Sequence, residues 1–164
     1  MSANHLRFGA ALLAALSLAG AAAAQQGAVE LKTRVEKRVL LKLPDGRVEE
    51  QRLPATKVVP GDVVAYTIEA KNVTSRPAER VVITDPIPVH TRYVDGSAQA
   101  RDADLQFSVD GGKSFDRPER LVVTEPDGTR RAARASDYTH IRWVFAQPLA
   151  PAESRSAQFL AQLQ

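Results

Sequence analysis

Residues 29 to 43 alternate between apolar and polar side chains, and no other feature of the sequence constrains the fold as strongly. Apolar residues occupy most odd positions of this segment, whereas charged residues fill most even positions. A period of two predicts a β-strand with one dry and one wet face, because a helix would space its apolar residues three and four apart. Leu40 is an exception to the alternation, and Thr33 and Lys37 interrupt the dry face.

Turn signals and short strand candidates continue along the chain. Pro44-Asp45-Gly46 predicts a turn, after which Val48–Leu53 returns as a polar edge strand whose charges discourage aggregation. The further candidates, each bounded by Pro, Gly or Asp, are Val64–Ile68, Val81–Thr84, Arg92–Val94, Leu105–Val109, Leu121–Thr124, Ile141–Phe145 and Ala157–Leu163. Val81–Thr84 is expected to be buried on both sides, because it is short and β-branched.

About eight short strands without helical periodicity indicate an all-β protein, either an antiparallel β-sandwich or a barrel. The long first hairpin and the single tryptophan, Trp143, on a late strand favour the sandwich. No internal repeat or low-complexity linker divides the chain. We therefore expect residues 25–54 to form an N-terminal strand and hairpin, and residues 55–164 to form the sandwich, as one domain.

The first 24 residues have the features of an export signal. Arg7 precedes the uncharged apolar run Phe8–Leu18, and Ala22 and Ala24 supply the A-x-A pattern before a cleavage site. The alternative is a membrane anchor, but the run is rich in alanine and shorter than the roughly 20 apolar residues of a spanning helix. We predict cleavage after Ala24, no membrane span thereafter, and a periplasmic or secreted product.

Composition narrows the range of functions. The 22 Lys and Arg residues against 19 Asp and Glu residues give a net charge of only +3, with the two signs interleaved. A nucleic-acid binder would concentrate its basic residues on one face, so we expect no nucleic-acid partner. The chain has no cysteine, which excludes disulfides, thiol catalysis and cysteine-based metal sites, while one Met and three His argue against a copper carrier.

Five segments, taken in order, carry a resemblance to a known family. They are PGDVVAYTIEAKN (Pro60–Asn72), VVITDPIP (Val81–Pro88), YVDGSA (Tyr93–Ala98), FSVDGGKSF (Phe107–Phe115) and IRWVFAQPLAPAES (Ile141–Ser154). Together they resemble the bacterial conserved repeat domain of surface and cell-wall proteins, the domain of unknown function number eleven. The resemblance covers roughly residues 55–164 and implies an immunoglobulin-like sandwich without known catalysis.

The chain departs from the family pattern in two ways. The pattern is found once in this sequence, and we expect a single copy without a wall anchor, whereas the family usually repeats the domain in tandem. Pro151-Ala152 stands where the family has Pro-Gly before the last strand. Both departures argue against a role as a spacer stalk.

The most distinctive residues of the matching segments have structural explanations. Gly61 is expected to reverse the chain before the strand that holds Tyr66, and Trp143 to form the centre of the core. Asp62 and Asp85 are expected to accept hydrogen bonds from backbone N–H groups in turns. None of these five roles requires a ligand.

Catalytic interpretations have little support in the sequence. His90 and His140 are the histidines that follow the predicted cleavage site, and no serine lies in a G-x-S-x-G elbow; the turn serines are Ser97, Ser108 and Ser114. A carboxylate pair for sugar hydrolysis could be drawn from Asp95, Asp102, Asp104 and Asp110. Polar turn residues explain these aspartates better. We expect no enzyme activity.

Ligand binding is also weakly indicated. Asp102, Asp104 and Asp110 offer oxygen donors for calcium, but their spacing lacks the D-x-D-x-D-G pattern and the distal Glu. Two histidines cannot close a metal site, so we expect no cofactor. The basic stretch Arg130–Arg134 is a candidate for binding an anion such as phosphate or an anionic glycan, although a solvated loop explains it as well. Asn72-Val73-Thr74 is formally a glycosylation sequon.

Two functions remain open. The preferred one is an exported, non-catalytic module for interaction or assembly in the bacterial envelope, whose unidentified envelope or surface partner binds through a sheet edge. The alternative is an enzyme or a calcium- or metal-binding periplasmic protein whose site is built from loops. Convergence of the carboxylates between Asp95 and Asp110 on one pocket would favour the alternative.

Overall fold

The structure is a computed structural model that describes residues 28–164, so the predicted export signal lies outside the described residues. Within this range the chain is all-β, and two short 3₁₀ turns are the only helical segments described there. The strands are β1 (Val29–Lys42), β2 (Val48–Pro54), β3 (Val63–Asn72), β4 (Val82–Pro86), β5 (Thr91–Tyr93), β6 (Gln99–Ala100), β7 (Ala103–Ser108), β8 (Val122–Thr124), β9 (Arg130–Ala132), β10 (His140–Phe145) and β11 (Ser154–Leu163). The 3₁₀ turns are Pro118–Arg120 and Ala135–Asp137.

The larger sheet has the strand order β2-β1-β3-β11-β5, and β6 pairs with β11 beside β5. All its pairings are antiparallel, and the register places Val35 opposite Tyr66 and Tyr66 opposite Phe159. Because β1 pairs with β3 over ten residues, the N-terminal hairpin is a continuous part of this sheet.

The smaller sheet has the antiparallel order β4-β10-β7 and packs against one face of the larger sheet. Aromatic contacts fix its placement: the rings of Trp143 on β10 and Phe159 on β11 lie 6.2 Å apart, and those of Phe107 on β7 and Tyr93 on β5 lie 5.3 Å apart. β10 therefore lies over β11 and β7 over β5, which leaves β4 over β3. The strands β8 and β9 form a separate hairpin. The predicted all-β antiparallel sandwich is confirmed.

The core lies between the two sheets, where alternate residues of facing strands meet. Ile141, Trp143 and Phe145 on β10 are buried, while the residues between them are partly exposed. This alternation is the one that the sequence predicts for a strand with one face against a core. The other large buried side chains include Ile83, Leu149 and Phe159.

Two burial expectations were wrong. The dry face of β1 is turned toward the sandwich side of its sheet, yet Leu31 is 55% exposed and Val35 is 41% exposed. The smaller sheet does not extend over β1, so nothing described covers these residues. The segment Val81–Thr84 is not buried on both sides, because Val82 and Thr84 lie on the outer face of the smaller sheet, where Val82 is 45% exposed.

Asn72 is the largest polar side chain of the core and connects two loops. It is fully buried at the end of β3, and its Nδ2 donates to the backbone carbonyls of Arg76 and Leu149 at 2.8 and 2.9 Å. Its Oδ1 accepts from the backbone N–H and the hydroxyl of Thr74 at 2.9 and 2.8 Å. All the hydrogen-bonding groups of this amide are thus satisfied, as a buried polar group requires.

Candidate functional site

The serines and histidines considered for catalysis do not come together. Ser97 Oγ donates to the backbone carbonyl of Val94, and Ser108 Oγ and Ser114 Oγ both donate to Asp110. His140 Nδ1 contacts the Thr139 hydroxyl at 3.1 Å. In residues 28–164 no serine hydroxyl is hydrogen-bonded to a histidine, so the pairing of nucleophile and base that a triad requires is not formed there.

Asp110 organises the turn that follows β7. Its carboxylate accepts from the hydroxyl and backbone N–H of Ser114, from the Ser108 hydroxyl and from the backbone N–H of Lys113. These hydrogen bonds, the Ser114 hydroxyl first, hold the pKa of Asp110 well below its ordinary value. A carboxylate engaged by four donors of its own turn holds that turn closed, which accounts for this residue without a ligand.

The candidate calcium ligands are not assembled into a site. Asp104 pairs with Arg117 at 2.8 Å, Asp110 is bound within its own turn, and Asp102 occupies a turn with a φ of 57°. No group of three or more His, Cys, Asp or Glu side chains in the described part of the chain is arranged to hold a metal ion.

The basic stretch Arg130–Arg134 is partly neutralised by its neighbours. The guanidinium of Arg131 donates two hydrogen bonds to the carboxylate of Asp137, at 2.6 and 3.0 Å, and a third to Glu125. Such a bidentate ion pair fixes the orientation of the planar guanidinium. Arg131 therefore joins the β8–β9 hairpin to the 3₁₀ turn at Ala135–Asp137.

Three of the expected structural residues occupy ordinary positions in the fold. Gly61 has a φ of +91° in the turn before β3, and Asp62 accepts from the backbone N–H of Val59 and from Lys37 Nζ. Tyr66 stacks on Phe159 with ring centroids 4.8 Å apart. Of these, only Gly61 needs a backbone conformation that side chains disfavour.

Trp143 lies at the centre of the core, 1% exposed, but its Nε1 has no hydrogen-bond partner among the described residues. A cavity of about 660 Å³ adjoins it, and its lining includes Ala100, Leu105, Gln99 and Gln158. Gln158 Nε2 donates to Gln99 Oε1 at 3.1 Å. The Nε1 atom is shielded from solvent, so a ligand in this cavity would not reach it without rearrangement of the core.

Asp85 does not have the turn role expected for it. It lies within β4, opposite the buried Ile141, so its side chain is on the inner face of the smaller sheet. No described donor bonds its carboxylate, and burial raises its pKa, a rise that the nearby His140 opposes. Its negative charge also contributes to a raised pKa of Tyr66, although burial is the larger cause. Asp85 is therefore an unpaired, partly buried carboxylate between β4 and β3.

An exposed apolar surface covers the sandwich side of the N-terminal hairpin. Odd-numbered residues of β1 and β2 share the face of the larger sheet that carries Tyr66 and Phe159. The exposed apolar members of this set, hereafter the hairpin face, are Leu31, Val35, Leu41 and Leu53. Thr33 and Lys37 interrupt this face, but its apolar residues adjoin the core on one side of the sheet, and exposed apolar surface rimmed by polar residues is a recurrent feature of interaction sites.

The strand periodicity of the sequence located the hairpin face, but its exposure was missed. Alternation shows which side chains share a face, whereas exposure depends on how many strands the opposite sheet has. The unpaired edge of β4 was also missed, because a β-branched segment is equally typical of central strands. Pro86 was the available signal, since proline within a sheet is confined to edges and ends.

No family model matches this chain, and neither a curated protein nor a solved structure shows significant similarity to it. Among the described residues no helix is long and apolar enough to cross a membrane. The fold is that of a small all-β antiparallel sandwich, and the feature that stands out on its surface is the hairpin face beside the open edge of β4.

Proposed function

We propose that this protein is an exported, non-catalytic module with an immunoglobulin-like sandwich that binds another protein in the bacterial envelope. The observation that carries the proposal is the hairpin face, whose four exposed apolar side chains continue the core surface of the larger sheet. Burial of apolar area is the main favourable term in protein association. The resemblance to the bacterial conserved repeat domain supports the same class of function, since no catalysis is known for that family.

The features of residues 28–164 that attract a chemical interpretation have structural explanations instead. The carboxylate of Asp110 closes a turn, Asp104 pairs with Arg117, and Arg131 links two neighbouring segments. A binding module needs none of these groups for chemistry. The alternative, a calcium-binding protein, predicts heat on calorimetric titration with calcium, and the present proposal predicts none.

Site-specific photo-crosslinking in the organism that encodes the chain tests the proposal. A photo-reactive amino acid at Leu31 reports on the hairpin face, and the same group at Val122, an exposed valine of the separate β8–β9 hairpin, is the matched control. We expect envelope proteins to crosslink at position 31 and not at position 122. Equal crosslinking at both positions, or none at either, would contradict the proposal.

Export is tested separately. Cell fractionation followed by intact-mass measurement is expected to find the chain outside the cytoplasm and shortened by the first 24 residues. A full-length chain retained in the cytoplasm would refute the envelope location, whatever the crosslinking shows.

A further inference from the structure

The two sheets of the sandwich differ in width, and the difference leaves the strand positions over β1 and β2 open. The larger sheet is five strands wide at β2-β1-β3-β11-β5, whereas the smaller sheet has β4, β10 and β7. Since β7 lies over β5 and β10 over β11, β4 lies over β3, and the next position outward lies over β1. Leu31 and Val35 form the floor of this open position, hereafter the cleft.

One wall of the cleft is the unpaired edge of β4. The Phe145 N–H donates to the Val81 carbonyl at 3.0 Å, and the Ile87 N–H donates to the Thr139 carbonyl at 2.9 Å. In an antiparallel pair the residues that bond the partner strand alternate with residues that point away from it. The odd residues of β4 therefore bond β10, and the N–H and C=O groups of Val82 and Thr84 are directed into the cleft.

The third element of the cleft is the carboxylate of Asp85. It lies on the inner face of β4 close to Tyr66, whose β1 neighbour in the sheet is Val35. No donor among residues 28–164 bonds this carboxylate. A carboxylate beside apolar side chains favours a basic group as its partner, because an unpaired charge next to an apolar surface is costly.

We infer that the cleft receives one extended strand of a partner protein, which pairs with β4, places alternate apolar side chains on Leu31 and Val35, and presents a lysine or arginine to Asp85. This inference deepens the proposed function and rests on it. A strand is the occupant that uses all three elements, since it satisfies the edge of β4 while its inward side chains reach the floor. A helix would cover the floor and leave the edge groups unpaired.

A second copy of this chain fits the cleft less well. The hairpin face residues are 55, 41, 38 and 46% exposed, in the order Leu31, Val35, Leu41 and Leu53. These fractions correspond to roughly 300 Å² of exposed surface, against the about 800 Å² per partner of a stable protein interface. A dimer formed by this face alone would be weak, whereas a strand adds backbone hydrogen bonds to the same small apolar area.

Synthetic peptides test the inference directly. The probe is a labelled nine-residue peptide of alternating valine and threonine with a central inward arginine, whose palindromic sequence allows pairing in either direction. Binding to the purified exported chain is measured by fluorescence anisotropy. A peptide N-methylated at the positions that face β4 is expected to bind at least about tenfold more weakly, because it cannot donate to the edge.

Variants of the protein test each element of the cleft. Thr84→Pro removes an N–H that does not bond β10 and is expected to weaken binding about tenfold, while Val48→Pro on the free edge of β2 is the matched control. Val35→Thr is expected to weaken binding several-fold, and Val122→Thr on the β8–β9 hairpin to leave it unchanged. Asp85→Asn is expected to weaken the arginine peptide about fivefold and a glutamate peptide not at all.

Three results would overturn the inference. The first is no binding of the arginine peptide, and the second is binding that N-methylation leaves unchanged, which would indicate an occupant other than a strand. The third is a concentration-dependent dimer of the chain, seen by analytical ultracentrifugation and abolished by Thr84→Pro. If position 31 still crosslinks to an envelope protein in these cases, the proposed function stands and only the strand inference fails.

Discussion

Replacing Ala152 with glycine is predicted to stabilise the protein. Ala152 has a φ of +62°, in the left-handed region that a side chain disfavours, and it lies in the turn between β10 and β11. The Glu153 N–H donates to the Ala150 carbonyl at 3.0 Å, which closes a four-residue turn with Pro151 second and Ala152 third. Proline second and a positive φ third is the type II pattern, which favours glycine at the third position.

The magnitude follows from two opposing terms. A left-handed conformation costs a non-glycine residue about 1–2 kcal/mol. Glycine also increases the conformational entropy of the unfolded chain, which stabilises the unfolded state by about 0.4–1 kcal/mol and opposes this gain. Because Ala152 is exposed, removing its methyl group loses little packing. The net stabilisation expected for Ala152→Gly is therefore about 0.5–1 kcal/mol, or roughly 2–3 °C in Tm for a chain of this size.

Urea unfolding followed by the fluorescence of Trp143, the single tryptophan, measures the change. Ala150→Gly in the same turn is the matched control, because Ala150 is also exposed and has no positive φ. The control is expected to lose about 0.4–1 kcal/mol, so the two variants shift the midpoint in opposite directions at an unchanged m-value. Equal destabilisation of both variants would refute the strain at Ala152.

Four further substitutions test the core and its charged groups. Trp143→Ala is expected to cost about 3–5 kcal/mol, measured by urea unfolding with circular dichroism, and a loss below about 1 kcal/mol would contradict a central position in the core. Asn72→Ala removes four side-chain hydrogen bonds from a fully buried amide and leaves the Leu149 carbonyl with the Ala78 N–H alone, so a loss of about 3 kcal/mol is expected, against about 1 kcal/mol for Thr74→Val. Asp110→Asn is expected to be less stable than the parent at pH 7, because the hydrogen bonds that lower the Asp110 pKa favour its charged form. The difference in the free energy of unfolding is expected to shrink as the pH falls below about 4, and a difference that does not change with pH would disprove this origin. Asp85→Asn is expected to be more stable than the parent at neutral pH, because burial raises the Asp85 pKa and so disfavours its charged form. The difference in stability between variant and parent is expected to disappear in acid, where Asp85 is protonated. A variant that is less stable than the parent at pH 7 would show that Asp85 has a favourable partner.

Local patterns in the sequence were sufficient to predict the main strands, but they were insufficient to predict how the strands pair into sheets. Alternation correctly predicted β1, β10 and β11, because the two-residue period is a property of each strand alone. The edge position of β4 depends on which strands pair, and pairing is set by contacts between residues far apart in the chain. The short strands β6 and β9 were not predicted, because Gln99–Ala100 and Arg130–Ala132 contain no β-branched, aromatic or large apolar residue that would mark a strand.

The candidate site shows the same division between local and non-local information. Leu31 and Val35 were recognised as a shared face, but their exposure follows from the narrower opposite sheet. Asp85 was expected to accept hydrogen bonds in a turn, whereas strand β4 continues through Asp85 to Pro86, at an edge where no N–H is required. Asp104 and Asp110 look like ligands in the sequence, yet Asp104 pairs with Arg117 and Asp110 accepts from backbone and hydroxyl groups of its own turn.

The buried position of Asn72 has a consequence for producing the protein in eukaryotic cells. Asn72-Val73-Thr74 is a sequon that oligosaccharyltransferase accepts, and the glycan attached to such an asparagine is bulky and hydrophilic. In the folded chain the amide nitrogen is enclosed and donates both of its hydrogens to carbonyls. A sugar attached during synthesis would therefore prevent the loops at both ends of that network from closing, so yeast or mammalian secretion is expected to yield misfolded material, while bacterial expression avoids the problem.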